Sequence, residues 1–301
     1  MEEYISDNSL YIRSKNNSMI NRKMIGRVLG MLLFIELGMF LLCAGVSAGY
    51  GESDYKYFLY TCIINAVVGG LLLLYGRGAE NKMSRRDGYC VVTLSWVFFT
   101  FFGMLPFYFS GSIDTITNAF FETMSGFTTT GATILDDIES LSHGMLFWRS
   151  LTQWIGGLGI VFFTIAILPI FTTGGVQLFS AESTGVTHDR THPKINVMAK
   201  WLWTIYLVLT VSETVLLMFG GMSLFDAICQ SFATTATGGY STKQNSISYW
   251  NSPYIEYVVA IFMIVSSINF SLFLMCLKGK VGRLFKDEEL HWLWNRHLNS
   301  M

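Results

Sequence analysis

Six stretches of the chain, residues 28–49, 57–75, 89–109, 145–171, 201–220 and 254–277, are almost wholly apolar. Each reaches about the 20 residues that a helix needs to cross the hydrocarbon core of a bilayer. Two further apolar segments are too short to cross. The first, 113–124, follows Ser112, a plausible N-cap, and reads as a helix that enters the membrane without leaving on the other side. It runs into Ser125-Gly-Phe-Thr-Thr-Thr-Gly-Ala-Thr133, a poor helix former. At membrane depth such backbone is tolerated only inside protein or beside a water-filled path.

The same order of elements returns further on. A short apolar helix is expected over 223–233, followed by Thr234-Thr-Ala-Thr-Gly-Gly-Tyr-Ser-Thr242. Setting Asn118-Ala-Phe against Asp226-Ala-Ile places Thr130-Gly131 opposite Thr237-Gly238 if one gap is allowed. The repeated unit is crossing, half-helix, Thr/Gly segment, crossing. Membrane repeats of this kind place a substrate site at their common axis. The alternative is two ordinary Thr/Gly-rich outer loops.

Basic residues give the orientation, because they collect in cytoplasmic loops. With the N-terminus inside, 17 of the 20 Lys and Arg residues fall on the inner side, leaving Lys56, Arg149 and Lys243. Acids such as Glu52, Asp114, Asp136, Asp137 and Glu139 gather outside, where they read either as a focused field or as solvated loop charges.

Composition narrows the classes that remain. Across 301 residues, 51% are hydrophobic and 14% charged, with net charge -1 and mean hydropathy +0.43. Those values exclude a disordered chain and a basic nucleic-acid binder, and they sit apart from soluble domains, which carry about 25% charged residues. The five cysteines are scattered without CxxC pairing, so neither a metal site nor a disulfide framework is indicated. No nucleophile–base pair and no paired carboxylates occur at one membrane depth, so an enzyme is not expected.

Cation selection is the chemistry this arrangement can do. A permeating monovalent cation exchanges its water for oxygens, and backbone carbonyls supply them without a full charge that would trap the ion. Glycine allows the chain to turn its carbonyls, and threonine adds hydroxyls and stiffness. Half-helices that descend from outside direct their partly negative C-terminal ends at the centre.

The motifs themselves resemble a known family. Phe120-Phe-Glu-Thr-Met-Ser-Gly-Phe127 with Thr128-Thr-Thr-Gly-Ala-Thr133, then Phe147-Trp-Arg-Ser-Leu-Thr-Gln-Trp-Ile-Gly-Gly-Leu-Gly-Ile160, is similar to the first pore repeat of the Trk/Ktr/HKT superfamily of potassium transporters, in its TrkH branch. Phe225-Asp-Ala227 through Tyr240-Ser-Thr242, with Ser252-Pro-Tyr-Ile-Glu256 and Ile268-Asn-Phe270, resembles the second.

The resemblance implies an all-α integral membrane fold with two N-terminal helices plus two helix–pore-loop–helix repeats, half of a four-repeat channel-like fold. The expected divisions are a cytoplasmic tail (1–23), two extra helices with their inner loop (24–88), a first pore repeat (89–171), a cytoplasmic connection (172–200), a second repeat (201–277) and a cytoplasmic end (278–301), truncated before a third repeat. The implied function is potassium uptake through the bacterial plasma (inner) membrane, with K+ as cargo and no organic cofactor. Carbonyls of Thr129, Thr130 and Gly131, and of Ala236, Thr237 and Gly238, would form the filter. In the family, glycine at the position of Gly131 resembles potassium-preferring members and serine the sodium-preferring ones. Implied partners are a TrkA-type cytosolic nucleotide-binding subunit, the missing C-terminal half, and a second full-length chain in a homodimer, with no nucleic acid. The other reading is a non-conducting fragment or assembly partner.

Glu122 and Arg149 are expected to pair and support the filter from behind. Glu36 and Glu213 lie inside crossings, where ionisable groups are costly. Being far in sequence from the Thr/Gly segments, they read as structural. Gly156, Gly157 and Gly159 read as close helix packing rather than a hinge. Glu182, His188 and His192 have irregular spacing and read as a solvated inner loop, not a zinc site.

Overall fold

A computed structural model describes residues 20–79, 84–159 and 195–268. Among these residues the regular elements are all helices. The first helix, α1 (Arg22–Gly49), is 28 residues long, about 42 Å at 1.5 Å per residue. The Asn21 side chain starts it by accepting from Met24 N at 3.1 Å. After a short turn α2 (Tyr55–Tyr75) returns antiparallel to it. The two backbones approach closely because small residues face each other: a Cβ added to Gly30 would lie 2.8 Å from the Gly69 carbonyl oxygen.

The next helix, α3 (Arg85–Gly103), opens on a capping box in which Ser84 and Asp87 satisfy each other's backbone N–H. Asp87 also accepts from Asn21 N at 2.9 Å, tying the starts of α1 and α3 together. It runs almost directly into α4 (Leu105–Ser110). Arg86–Ser110 together are long and apolar enough to cross a membrane, as are Arg22–Gly49, Tyr55–Tyr75 and Trp201–Phe219. Side chains such as Ile63, Leu71 and Leu74 stand exposed on their outer faces, as expected where lipid rather than water surrounds the protein.

A short helix follows, α5 (Ile116–Phe127). Its 12 residues reach about 18 Å, too short for a core of about 30 Å. It begins three residues later than the sequence suggests, and Thr115, not Ser112, caps it by accepting from Asn118 N at 3.2 Å. Ser112 is engaged elsewhere, its hydroxyl 2.8 Å from that of Ser110 in the turn that leaves α4. Beyond the first Thr/Gly segment comes α6 (His143–Gly157), capped by Ser142.

The second half repeats this order as α7 (Ile195–Phe219), α8 (Leu224–Thr235), a 3-10 turn (Ser246–Trp250) and α9 (Pro253–Ser267). The fourth expected crossing is described only as far as Gly159 and the sixth only to Ile268. The tail before Ile20, the stretch with Glu182, His188 and His192, and the C-terminal end lie outside the described residues.

Phe40, Phe58, Phe99, Phe107, Phe127 and Trp148 are fully buried where α1, α2, α3, α4, α5 and α6 meet. The Phe40 and Trp148 ring centroids lie 4.5 Å apart, and Trp148 Nε1 donates to the Gly103 carbonyl at 2.8 Å. Trp148 is therefore a core residue.

In the turn between α1 and α2 the Glu52 carboxylate receives His143 N and Nδ1, each at 2.8 Å, and Gly144 N at 3.3 Å. Partial burial alone would raise its pKa, yet these bonds together outweigh burial and hold it below the ordinary value. A carboxylate lowered on folding contributes stability above its unfolded pKa of about 4.3 and loses it as pH falls through the lower folded value. Glu52→Gln is therefore expected to melt earlier than the unaltered protein at neutral pH. In thermal scans of detergent-purified protein, the difference should close as the pH drops below about 4. A gap that persists in acid would contradict this assignment.

Candidate functional site

Each half-helix ends in the same backbone pattern. Thr128 N, Thr129 N and Thr130 N donate to the carbonyls of Met124, Gly126 and Ser125; Ala236 N, Thr237 N and Gly238 N donate to those of Phe232, Thr234 and Ala233. Positive φ follows in register, at Thr129 (53°) and Gly131 (74°) in the first segment and at Thr237 (54°) and Gly239 (87°) in the second. Every one of these positions recurs 108 residues later, as do the helices, Ile116–Phe127 with Leu224–Thr235.

The structural register thus contains no gap. Thr129 corresponds to Thr237 and Gly131 to Gly239, whereas matching Thr130-Gly131 to Thr237-Gly238 follows residue type instead of conformation. The expected triads Thr129–Thr130–Gly131 and Ala236–Thr237–Gly238 are offset from each other by one position, and the corresponding stretches bring in Thr128 and Gly239. The signal available in the sequence was the ungapped continuation of Asn118 against Asp226.

A β-branched residue held left-handed costs on the order of 1–2 kcal/mol, so Thr129 and Thr237 must be fixed by their surroundings. Those surroundings are well defined. The two segments abut, since a Cβ on Gly131 would collide with the Gly238 carbonyl oxygen. Thr128, Thr130, Thr237 and Gly239 are exposed, while Phe127, Ala236, Gly238 and Tyr240 behind them are buried.

Helix α6 is the backing for both. Gly156 faces the Phe127 carbonyl and Gly157 the Ala236 backbone, each without room for a Cβ, so these glycines serve close packing. Gln153 Oε1 accepts from Tyr240 N at 3.0 Å. Arg149 Nε donates to Glu122 Oε1 at 2.8 Å, its guanidinium also reaches the Ser241 carbonyl at 2.9 Å, and it lies 3.6 Å from the Tyr240 ring centroid. Glu122 also receives Thr133 Oγ1 at 2.9 Å and Ile134 N at 3.0 Å. Tyr240 donates its hydroxyl to the Glu122 carbonyl at 2.8 Å. One ion pair, 2% and 1% exposed, thereby joins the first half-helix, α6 and both Thr/Gly segments. Tyr240 and Gln153 are central to it; both lie within the motifs that carry the family resemblance, but residue type alone assigns neither a role there.

Glu213 is closer to the site than its position in the chain suggests. Its Oε2 accepts from Thr235 Oγ1, the last residue of α8, at 3.3 Å. Glu36 lies behind the first half-helix, where a Cβ on Gly103 would meet Glu36 Oε1, Thr123 and Phe127 together.

These features define a membrane protein with duplicated half-helix and loop units packed against each other. The sequence profile of the TrkH cation transport protein family matches residues 55–294. The Trk system potassium uptake protein TrkH of Escherichia coli K12 is 41% identical over 268 residues, covering 88% of this chain and 56% of that protein. TrkG of the same strain is 31% identical, over 90% of this chain and 56% of its own length. The crystal structure of the potassium transporter TrkH from Vibrio parahaemolyticus superposes with a TM-score of 0.77 at 33% identity, over 91% of this chain and 56% of that one. The chain belongs to the TrkH family, and it spans about half the length of these relatives.

Removing one partner of a buried ion pair costs about 3–5 kcal/mol, because the other charge is left uncompensated. Arg149→Ala should therefore lower the melting temperature sharply, while adding Glu122→Gln to it should recover part of the loss. A double variant no more stable than Arg149→Ala alone would show that the two side chains are not coupled.

Proposed function

We propose that this chain supplies half of a potassium-conducting pore of the Trk type, passing K+ inward. A dehydrating ion would exchange water for main-chain oxygens of Thr129, Thr130 and Gly131 on one side and Ala236, Thr237 and Gly238 on the other, with Thr128 and Gly239 adjoining them. The observation that carries the proposal is the duplicated half-helix ending in a left-handed threonine, with the two segments in contact at Gly131 and Gly238. The relatives named above as potassium uptake proteins support the choice of ion.

Two segments provide half of a four-part ring, so the reading requires two more, on a further stretch of polypeptide or on another chain. Glu122 and Arg149 act as support, holding the first segment against the second. The proposal places the protein in a bacterial inner membrane with its N-terminus in the cytoplasm, following the inner collection of Lys and Arg. On the inner face it meets a TrkA-type nucleotide-binding subunit, and full-length chains pair as a homodimer.

Gly131 offers the test. Its φ of 74° and the adjacent Gly238 oxygen leave no room for a side chain, so Gly131→Ser is expected to push the second segment aside. In vesicles holding the protein with its complementary half, the Rb+/Na+ flux ratio should fall by roughly fivefold or more, equivalent to about 1 kcal/mol of lost discrimination. An unchanged ratio would count against the filter assignment.

A further inference from the structure

Glu36 and Asn65 sit at the midpoints of α1 and α2, and both side chains are 0% exposed. A carboxylate at the centre of a membrane helix needs a partner of opposite charge or must lose its own. The ion pairs among the described residues are His143 with Glu52, Arg149 with Glu122, and Lys243 with Glu139; none includes Glu36.

The neighbours of Glu36 do not supply a second donor. Across α2, the titratable group near it is the Cys62 thiol, which is turned to the Leu37 carbonyl at 3.7 Å. From α3 comes Gly103, without a side chain, and from α5 come Thr123 and Phe127. The Thr123 hydroxyl is already given to the Ala119 carbonyl at 2.8 Å.

One hydrogen bond does join the pair: Asn65 Nδ2 donates to Glu36 Oε2 at 3.0 Å. What it leaves over is telling. Glu36 Oε1 and Asn65 Oδ1, one on each side chain, are buried acceptors with no partner among the described residues. An ionised carboxylate only accepts, so two such oxygens would both stay unsatisfied in an interior that offers no other donor. A single proton on Glu36 Oε1 turns that oxygen into a donor and gives Asn65 Oδ1 its partner.

We infer that Glu36 is a proton-binding site: it carries a proton in the folded protein and closes a two-bond carboxylic acid–carboxamide ring with Asn65, fastening α1 to α2 behind the first half-helix. The ring leaves this part of the membrane interior uncharged. It does not depend on what passes through the Thr/Gly segments, so its failure and that of the pore reading are separable.

Infrared spectra of the purified protein in lipid at neutral pH test this directly. The unaltered protein minus Glu36→Gln should show the carbonyl stretch of one protonated carboxyl, shifted in D2O, with no loss in the carboxylate bands. Glu36→Gln should also keep its melting temperature, since an amide restores both bonds, whereas Glu36→Leu should lose it. Asn65→Ala should retain the protonated-carboxyl band but move it towards the frequency of a carbonyl without a hydrogen-bond partner. A carboxylate band missing from Glu36→Gln would overturn the inference. So would failure of Glu36→Gln to fold, or stabilisation of the unaltered protein, but not of Glu36→Gln, by added Na+ or K+, which would put a metal cation in place of the proton.

Discussion

Irregular backbone at membrane depth persists only where protein holds it or where it lines a water-filled path. The two Thr/Gly segments meet this constraint in different ways along their length. Their first three N–H groups fold back onto carbonyls of the preceding half-helix, so each segment starts as an extension of its helix end. Beyond the left-handed threonines, side chains take over: Ser125 Oγ donates to the Ala132 carbonyl at 2.6 Å, and Gln153 and Arg149 hold Tyr240 and Ser241. Helix α6 supplies the last two groups, which explains why its glycines press so closely on both half-helix ends.

Much of the fold was legible because bilayers impose long apolar runs and short helices violate that length conspicuously. The four described spans and both half-helices follow from this rule. Helix starts were less legible. Ser112 and Thr115 are both competent caps, and the choice was made by Gly111, whose φ of 73° continues the turn from α4 and draws Ser112 towards Ser110. A preference for capping residue types does not contain that information.

The register of the two units shows where residue identity misleads. Thr-Gly occurs at 130–131 and 237–238, and aligning those pairs is natural. Backbone handedness instead equates a threonine with a threonine and glycine with glycine at 129/237 and 131/239. Glycine is favoured at any left-handed position, but a threonine there reflects constraint by neighbours, which only the assembled structure reveals. The pairing of Arg149 with Glu122, by contrast, could be anticipated, because buried charges of opposite sign on adjacent elements have few other solutions.

Sequence separation was the poorest guide for Glu36 and Glu213. Both back the ends of half-helices at corresponding places, near Phe127 in one unit and at Thr235 in the other. They arrive by different routes. Glu213 belongs to α7, which directly precedes α8, whereas in the first unit α3 ends at Gly103 before α4 leads on to α5, and the space left by the missing side chain admits a carboxyl from α1. The N-terminal helices are therefore not a detachable addition to two equal repeats. Through Glu36, Asn65 and Phe40 against Trp148, they complete behind the first half-helix what the second unit provides from within itself.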